Sequence, residues 1–201
     1  MILLPRTLLS RYCLWPQWIA VALLLLFVSA AAAALEKPAV DQALLSLLKQ
    51  AAVKADSFDD QYDAEVWLVE KEPALARLVK DPAQRISLLK LIHSEASRAG
   101  LSPEIVHALI EVESHFDPYA VSSAGAQGMM QIMPFWKHEI GRPEDNLINI
   151  QTNLRYGCTI LKYYLDREKG RLADALARYN GSYGQYWYSE RMLDRWAKHW
   201  R

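Results

Sequence analysis

The sequence predicts an all-α protein, and three observations carry that prediction. After Leu35, apolar residues recur at the 3.6-residue period of an amphipathic helix, with no sustained alternation of period two. Asp-Pro, Ser-Pro and isolated Gly residues, which are typical helix start and stop signals, separate these periodic segments. Hydrophobic residues make up 52% of the chain and charged residues 23%, a balance that suits a packed core and argues against disorder.

The first 34 residues differ from the rest and indicate export. Arg6 and Arg11 precede an apolar run, residues 18–34, that ends in consecutive alanines. This order is typical of a secretory signal peptide, here 1–34, with cleavage after Ala34. The alternative is an uncleaved inner-membrane anchor, because about 17 to 20 apolar residues can just span a bilayer. We therefore expect a periplasmic protein.

Residues 35–81 are predicted to form a helical N-terminal extension. Residues 38–54 carry the periodicity of one amphipathic helix. Residues 63–80 suggest two short helices broken near Pro73, because proline disrupts a helix interior.

The remaining residues, 82–201, are predicted to form a single helical domain. Its helices have local boundary signals, and Pro118 ends one of them by disfavouring helix at the preceding residue. Residues 117–128 are predicted to be a loop. The expected helices run from Pro82 to Gly100, from Pro103 to about Phe116, from Pro134 to Gly141, from Asn149 to about Glu168, from Arg171 to Gly181 and from Tyr183 to Trp200.

Charge and motifs exclude several classes of function. Lys and Arg total 23, as do Asp and Glu, so nothing suggests a nucleic-acid partner. The chain has no zinc-binding motif, no phosphate-binding glycine loop and no serine nucleophile motif, so we expect neither a metal nor a cofactor. Cys158 would be the only cysteine left after signal cleavage, and its apolar helical surroundings indicate a buried structural thiol.

Among the carboxylates, Glu113 has the most promising position. It borders the apolar face of a predicted helix near the end of that helix, whereas Glu111 lies about 200° away around the axis and is expected to turn away. Apolar surroundings favour the acid form of a carboxyl group, as a general acid requires near neutral pH. Position alone also fits a surface Glu at an amphipathic boundary. The apolar face consists of Ile105, Leu109, Val112 and Phe116.

Three short motifs in order resemble the soluble lytic transglycosylase (SLT) family, relatives of goose-type lysozyme. Glu113-Ser114 matches the Glu-Ser motif of the family. "GMMQIMP" at 128–134 matches Gly-Leu-Met-Gln-x-Met-Pro with Met129 in place of Leu, and "RYN" at 178–180 matches Ala-Tyr-Asn with Arg178 in place of Ala. The helix between the last two motifs, "NLRYGCTILKYYLD", is also similar. The resemblance covers about residues 85–185 and implies a lysozyme-like helical domain.

The resemblance implies a peptidoglycan lytic transglycosylase. One Glu, here Glu113, would act as acid and then as base to cleave the β-1,4 bond between N-acetylmuramic acid and N-acetylglucosamine, leaving a 1,6-anhydromuramic end. Tyr179 would point its hydroxyl at Glu113, and Gly125 and Gly128 would let the loop backbone approach the glycan. Gln131 would lie beside the acid. The implied substrate-binding residues are Ser114, Ser122, Gln131, Met133, Tyr179 and Asn180.

Two other functions stay open from the sequence. A hydrolytic muramidase of the same fold would use water and normally a second carboxylate, and a non-catalytic cell-envelope protein would only bind glycan. Asp117 is interpreted as a turn or capping residue, and Glu190 is a candidate for the acidic segment that many family members place near the groove. The expected partners are peptidoglycan glycan strands and cell-envelope proteins that the sequence does not identify.

Overall fold

Helices provide the regular structure of the residues that the computed structural model describes, which are Ser46, Ser57 and 60–201. The all-α prediction is therefore confirmed. The predicted signal peptide and the helix over 38–54 lie outside the described residues, except that Ser46 is helical. Among the described residues, no helix is long and apolar enough to cross a bilayer. The elements are α1 (Gln61–Ala76), α2 (Pro82–Ala99), α3 (Pro103–Ser114), α4 (Trp136–Ile140), α5 (Ile150–Arg167), α6 (Leu172–Asn180), α7 (Trp187–Arg195) and a π-helix (Trp196–Trp200).

Local capping sets the starts of α2, α3 and α5, where the sequence predicted helices to begin. The Asp81 carboxylate accepts hydrogen bonds from the first free backbone N–H groups of α2, which begins at Pro82. Ser102 and Asn149 cap α3 and α5 in the same way. Gly100 ends α2 in the left-handed conformation, with φ of 68°, which a residue without Cβ adopts at no steric cost.

The expected break at Pro73 is wrong, because α1 continues through this proline as one helix. Proline in a helix interior costs about 3 kcal/mol relative to alanine. Tertiary packing offsets that cost, since buried side chains of α1 lie on both sides of the proline. Leu68 and Leu75 are both 0% exposed and belong to the main hydrophobic core.

Helix α1 also makes polar contacts with other elements. The Trp67 indole donates a hydrogen bond to Glu104 Oε1 of α3 over 2.9 Å. Lys71 Nζ donates to the backbone carbonyl of Trp200 over 3.2 Å. Helix α1 is thus tied to α3 and to the π-helix. A domain boundary at residue 82 stays a prediction.

The predicted last helix divides into α7 and the π-helix, and residues 183–186 precede it as a turn. Trp200 is only 1% exposed, and its ring stacks on that of His107 with the centroids 4.7 Å apart. Burial lowers the pKa of His107 to about 4, so the imidazole is neutral at neutral pH. The Trp200 indole donates to Glu111 Oε2 over 2.7 Å, which ties the C-terminal segment to α3.

Candidate active site

Glu113 lies in the last turn of α3, where its side chain is half-buried. The Tyr188 hydroxyl donates a hydrogen bond to Glu113 Oε1 over 2.5 Å. Tyr188 is 2% exposed and lies in the first turn of α7. Packing between α3 and α7 therefore brings a half-buried carboxyl group and a buried phenol together.

This environment changes the ionisation of both groups. Burial raises the pKa of Glu113 from its ordinary 4.5 to about 7, and the hydrogen bond from Tyr188 partly opposes that rise. Burial, together with the adjacent Glu113, raises the pKa of the Tyr188 phenol well above its ordinary value. Tyr188 consequently stays a proton-bearing donor, while Glu113 can hold or release its proton near neutral pH, as acid–base catalysis requires.

Ser114, the next residue of the motif, holds the following loop against α3. Its hydroxyl donates to the backbone carbonyl of Met129 over 2.8 Å and also lies 3.3 Å from the carbonyl of Ile110. The sequence assigned Ser114 to substrate binding. The hydroxyl instead bonds the protein backbone, so its observed contribution is to position the loop.

Asn153 of α5 holds the same loop from the other side, and the sequence analysis did not single it out. Its side-chain oxygen accepts from the Met130 backbone N–H over 2.7 Å. Its amide nitrogen donates to the carbonyls of Gln127 and Leu147, each over 2.8 Å. Asn153 is 0% exposed, so these three hydrogen bonds satisfy an amide that would be costly to bury unpaired.

The two glycines of this loop, Gly125 and Gly128, have different surroundings, and only those of Gly128 differ from the expectation. A Cβ on Gly128 would lie 2.4 Å from the Asn153 side chain and 2.6 Å from the Leu147 carbonyl. The space beside Gly128 is therefore occupied by atoms of Asn153 and Leu147 and is not open to glycan. Gly125 has φ of 87°, and a Cβ there would meet open space. Of these two glycines, Gly125 is the one that leaves room for a ligand to approach its backbone.

Gln131 and Ser122 lie in the segment between α3 and α4 and make no hydrogen bond with Glu113. The Gln131 amide nitrogen donates to the carbonyls of Ala120 and Gly128, over 3.1 and 2.9 Å. Its amide oxygen accepts no hydrogen bond within residues 60–201. Ser122 Oγ accepts from the Ala126 backbone N–H over 3.0 Å, so its hydroxyl proton remains free to donate.

Tyr179 is close to Glu113 but does not point its hydroxyl at the acid, so that expectation is wrong. The hydroxyl donates to the Met130 carbonyl over 2.7 Å. Burial first, and then the Glu113 charge, raises the pKa of the Tyr179 phenol well above its ordinary value. Asn180 is exposed at the end of α6, and Met133 is half-buried beyond the loop. Tyr188 takes the position that the sequence assigned to Tyr179.

Glu111 also differs from the prediction, because it does not turn to solvent. Its side chain is 5% exposed and lies 3.8 Å from Arg77. His199 Nδ1 and Trp200 Nε1 contact its two oxygens, at 2.9 and 2.7 Å. Glu111 and Glu113 thus face separate partners, and Glu111 connects α3 to the π-helix.

No hydrogen bond within residues 60–201 joins Glu113 to a second carboxylate. Asp117 accepts from the Tyr119 backbone N–H over 2.8 Å, which confirms its interpretation as a turn residue. Glu190 is exposed on α7. In the part of the chain that the structure describes, no group of three or more His, Cys, Asp or Glu side chains could hold a metal ion.

Arg178, which departs from the family motif, has a structural explanation. Its guanidinium pairs with the buried carboxylate of Glu168 at the end of α5. The same guanidinium lies 3.6 Å from the centroid of the Tyr183 ring, a cation–π contact that fixes the turn before α7. Arg178 therefore helps to set the position of the helix that carries Tyr188.

Comparison with known proteins gives a family match over the same region. The model of the family described as "Transglycosylase SLT domain" matches residues 90–195. Membrane-bound lytic murein transglycosylase F of Desulfosudis oleivorans is 37% identical over 98 residues, which cover 47% of this chain and 22% of that protein. Membrane-bound lytic murein transglycosylase C of Actinobacillus pleuropneumoniae is 48% identical over 46 residues, which cover 23% of this chain and 13% of that protein.

Among solved structures, an inactive mutant of lytic transglycosylase Slt from Pseudomonas aeruginosa is 22% identical, with a TM-score of 0.44. The match covers 82% of this chain and 33% of that chain. The aligned parts of the two curated relatives amount to 22% and 13% of their own lengths.

Proposed function

Because the chain belongs to the transglycosylase SLT domain family, whose model matches residues 90–195, we propose that it is a lytic murein transglycosylase. Its substrate is the glycan strand of peptidoglycan. It cleaves the β-1,4 bond between N-acetylmuramic acid and N-acetylglucosamine and leaves a 1,6-anhydromuramic end. The curated relatives that match the chain are named lytic murein transglycosylases, which supports this reaction and this substrate.

The observation that carries the proposal is the state of Glu113. Burial raises its pKa to about 7, so Glu113 is protonated in a large fraction of the molecules at neutral pH. A Glu with the ordinary pKa of 4.5 would be almost fully ionised there and could not serve as a general acid. The Tyr188 hydrogen bond supports the ionised form that the same side chain needs as a base.

The reaction uses this one carboxyl group twice. Glu113 first gives its proton to the glycosidic oxygen while the bond from that oxygen to C1 of N-acetylmuramic acid breaks. The resulting carboxylate then takes the proton of the 6-hydroxyl of the same sugar, whose oxygen forms the new bond to C1. The proton returns to Glu113 and no water is consumed. Since the substrate supplies the nucleophile, a second carboxylate is unnecessary.

Four further residues are proposed to hold the sugars. The free amide oxygen of Gln131 and the free hydroxyl proton of Ser122 offer an acceptor and a donor for acetamido and hydroxyl groups. Asn180, exposed at the end of α6, offers both. Met133 offers an apolar contact. Tyr179, by contrast, acts through the Met130 carbonyl to which it is bonded.

The site of action is proposed to be the periplasm. The segment 1–34 directs export and is then removed by cleavage. The charged start, the apolar run and the alanines before Leu35 support export. N-terminal sequencing of the protein recovered from exporting cells tests this. A chain beginning at Leu35 supports cleavage, whereas a chain that retains residue 1 would show that the segment remains attached.

Substitution of Glu113 tests the activity. Glu113→Gln preserves the shape of the side chain but can neither donate nor accept the catalytic proton, so release of fragments from purified peptidoglycan should fall by at least about 10²–10⁴-fold. Glu144→Gln is the matched control, since its side chain is 69% exposed. Circular dichroism establishes that both variants fold. A folded Glu113→Gln protein with wild-type activity would remove Glu113 from the mechanism.

A further inference from the structure

A cavity of about 500 Å³ lies between α4 and α5, and none of the residues assigned above to the active site lines it. Its volume falls within the range of about 300–1,000 Å³ that is usual for small-ligand pockets. Its walls are mainly aromatic and aliphatic. The apolar lining consists of Phe135, Trp136, Ile140, Ile160, Tyr163 and Tyr164.

One face of α5 connects this cavity to the loop of the active site. Asn153 binds the Met130 backbone, and a Cβ on Gly157 would lie 2.2 Å from the sulfur of Met130. Tyr164, on the same stripe of α5, contacts the Trp136 ring edge-on with the centroids 6.4 Å apart. At 1.5 Å rise per residue, Gly157 and Tyr164 are about 10 Å apart along the helix, so the cavity directly follows the active-site loop.

The backbone after the loop gives the same continuity. The Trp136 N–H donates to the Met133 carbonyl over 3.1 Å, which closes a tight turn. The ends of such a turn lie less than about 7 Å apart between their Cα atoms. The rim of the cavity therefore begins one turn beyond Met133, which we proposed as a sugar contact.

The chemistry of the cavity suits a sugar ring. Phe135 and Tyr163 are each 53% exposed, so their faces are accessible to a ligand. Aromatic faces pack on the apolar faces of pyranose rings. Glu139, Arg167 and Thr159 add hydrogen-bonding groups among the lining residues, and the opposite charges of Glu139 and Arg167 favour an uncharged, hydroxyl-rich ligand.

We propose that this cavity is a distal saccharide site. It binds a sugar ring of the glycan strand that lies several sugar units from the bond that Glu113 cleaves. The inference rests on the proposed function, because it extends the same substrate beyond Met133. Binding energy from this remote ring would favour long strands over short ones, both in affinity and in kcat/KM.

Binding of peptide-free glycan strands of graded length tests the proposal. Isothermal titration uses the full chain carrying Glu113→Gln, so that no strand is cleaved. Affinity should rise once a strand is long enough to reach the cavity. Phe135→Ala and Tyr163→Ala should each weaken binding of long strands by about tenfold, equivalent to roughly 1.4 kcal/mol. The affinity for short strands should not change. Tyr62→Ala, at a residue 74% exposed on α1, is the control and should match the parent at every length.

Each other outcome contradicts a specific part of the reasoning. Equal affinities of parent and cavity variants at all lengths would show that no sugar binds there. A loss seen only with strands that keep their peptide stems would assign the cavity to the stem and overturn a saccharide site. Length-dependent binding without cleavage by the wild-type protein would contradict the proposed function alone, whereas failure of every strand to bind would contradict both.

Discussion

Ionisation of Glu113 should destabilise the folded protein, and a pH series can measure the effect. The pKa of Glu113 is about 7 in the folded chain, whereas the ordinary value of 4.5 applies when the chain is unfolded. Between these two pH values the folded state retains a proton that the unfolded state has released. Stability therefore falls as pH rises through this window, and it falls no further well above pH 7.

The size of the effect follows from the pKa difference. A rise from 4.5 to about 7 is roughly 2.5 units, and each unit corresponds to about 1.4 kcal/mol. Glu113 should thus lower the free energy of unfolding by about 2–3 kcal/mol between about pH 5 and pH 8. In Glu113→Gln the side chain has no proton to lose, so this component of the pH dependence disappears.

Urea unfolding of the wild-type protein and of Glu113→Gln at the two pH values measures the difference directly. The variant should gain about 2–3 kcal/mol relative to the wild type on going from pH 5 to pH 8, because all other titrating groups are shared. Glu144→Gln, with an exposed side chain, should show no such relative gain. An equal difference between wild type and Glu113→Gln at both pH values would show that Glu113 is already ionised in the folded protein.

Three further predictions concern the two tyrosines near Glu113, the buried Cys158 and Glu111. Tyr188→Phe removes the hydrogen bond that favours ionised Glu113, so the alkaline limb of the pH profile of kcat/KM should move to higher pH. Tyr179→Phe loses a hydrogen bond to a backbone carbonyl and should leave that limb in place. Cys158 is 0% exposed and burial raises its pKa to about 12, so Cys158→Ala should keep activity and lose less than about 2 kcal/mol; an inactive folded variant would contradict this. Glu111→Gln should lower the free energy of unfolding by about 1–3 kcal/mol in urea titrations and leave the pH profile in place, and a shifted profile would mean that Glu111 acts on Glu113.

The sequence predicted the fold where local chemistry decides it. Asp81, Ser102 and Asn149 cap the helices that follow them, and Gly100 and Gly181 end two helices in the left-handed conformation. These signals act within a few residues, so they can be recognised without knowledge of the tertiary structure.

Pro73 shows where local chemistry was insufficient. Its cost to α1 is offset by contacts with helices far along the chain, such as the hydrogen bond of Lys71 to the carbonyl of Trp200. Glu111 was misjudged for the same reason, because its buried partners lie in the π-helix. Local periodicity carries no information about these partners.

In the candidate site, the sequence singled out Glu113, whose catalytic role stays a prediction, but it did not find Tyr188, which donates a hydrogen bond to Glu113. In the last helix Trp187 is 50% exposed, whereas Tyr188 and Met192, one turn apart, are buried at 2% and 0% exposure. The i, i+4 spacing of Tyr188 and Met192 was the available signal. Asn153 was missed because a buried amide that holds a loop has no periodic pattern.

The most direct test of the central claim is to digest purified peptidoglycan in ¹⁸O-labelled water and weigh the products by mass spectrometry. If Glu113 acts as acid and then as base for the 6-hydroxyl, the new ends are 1,6-anhydro sugars, one water lighter than reducing ends and free of label. Reducing ends that carry ¹⁸O would show that water attacks instead, and that the protein is a muramidase.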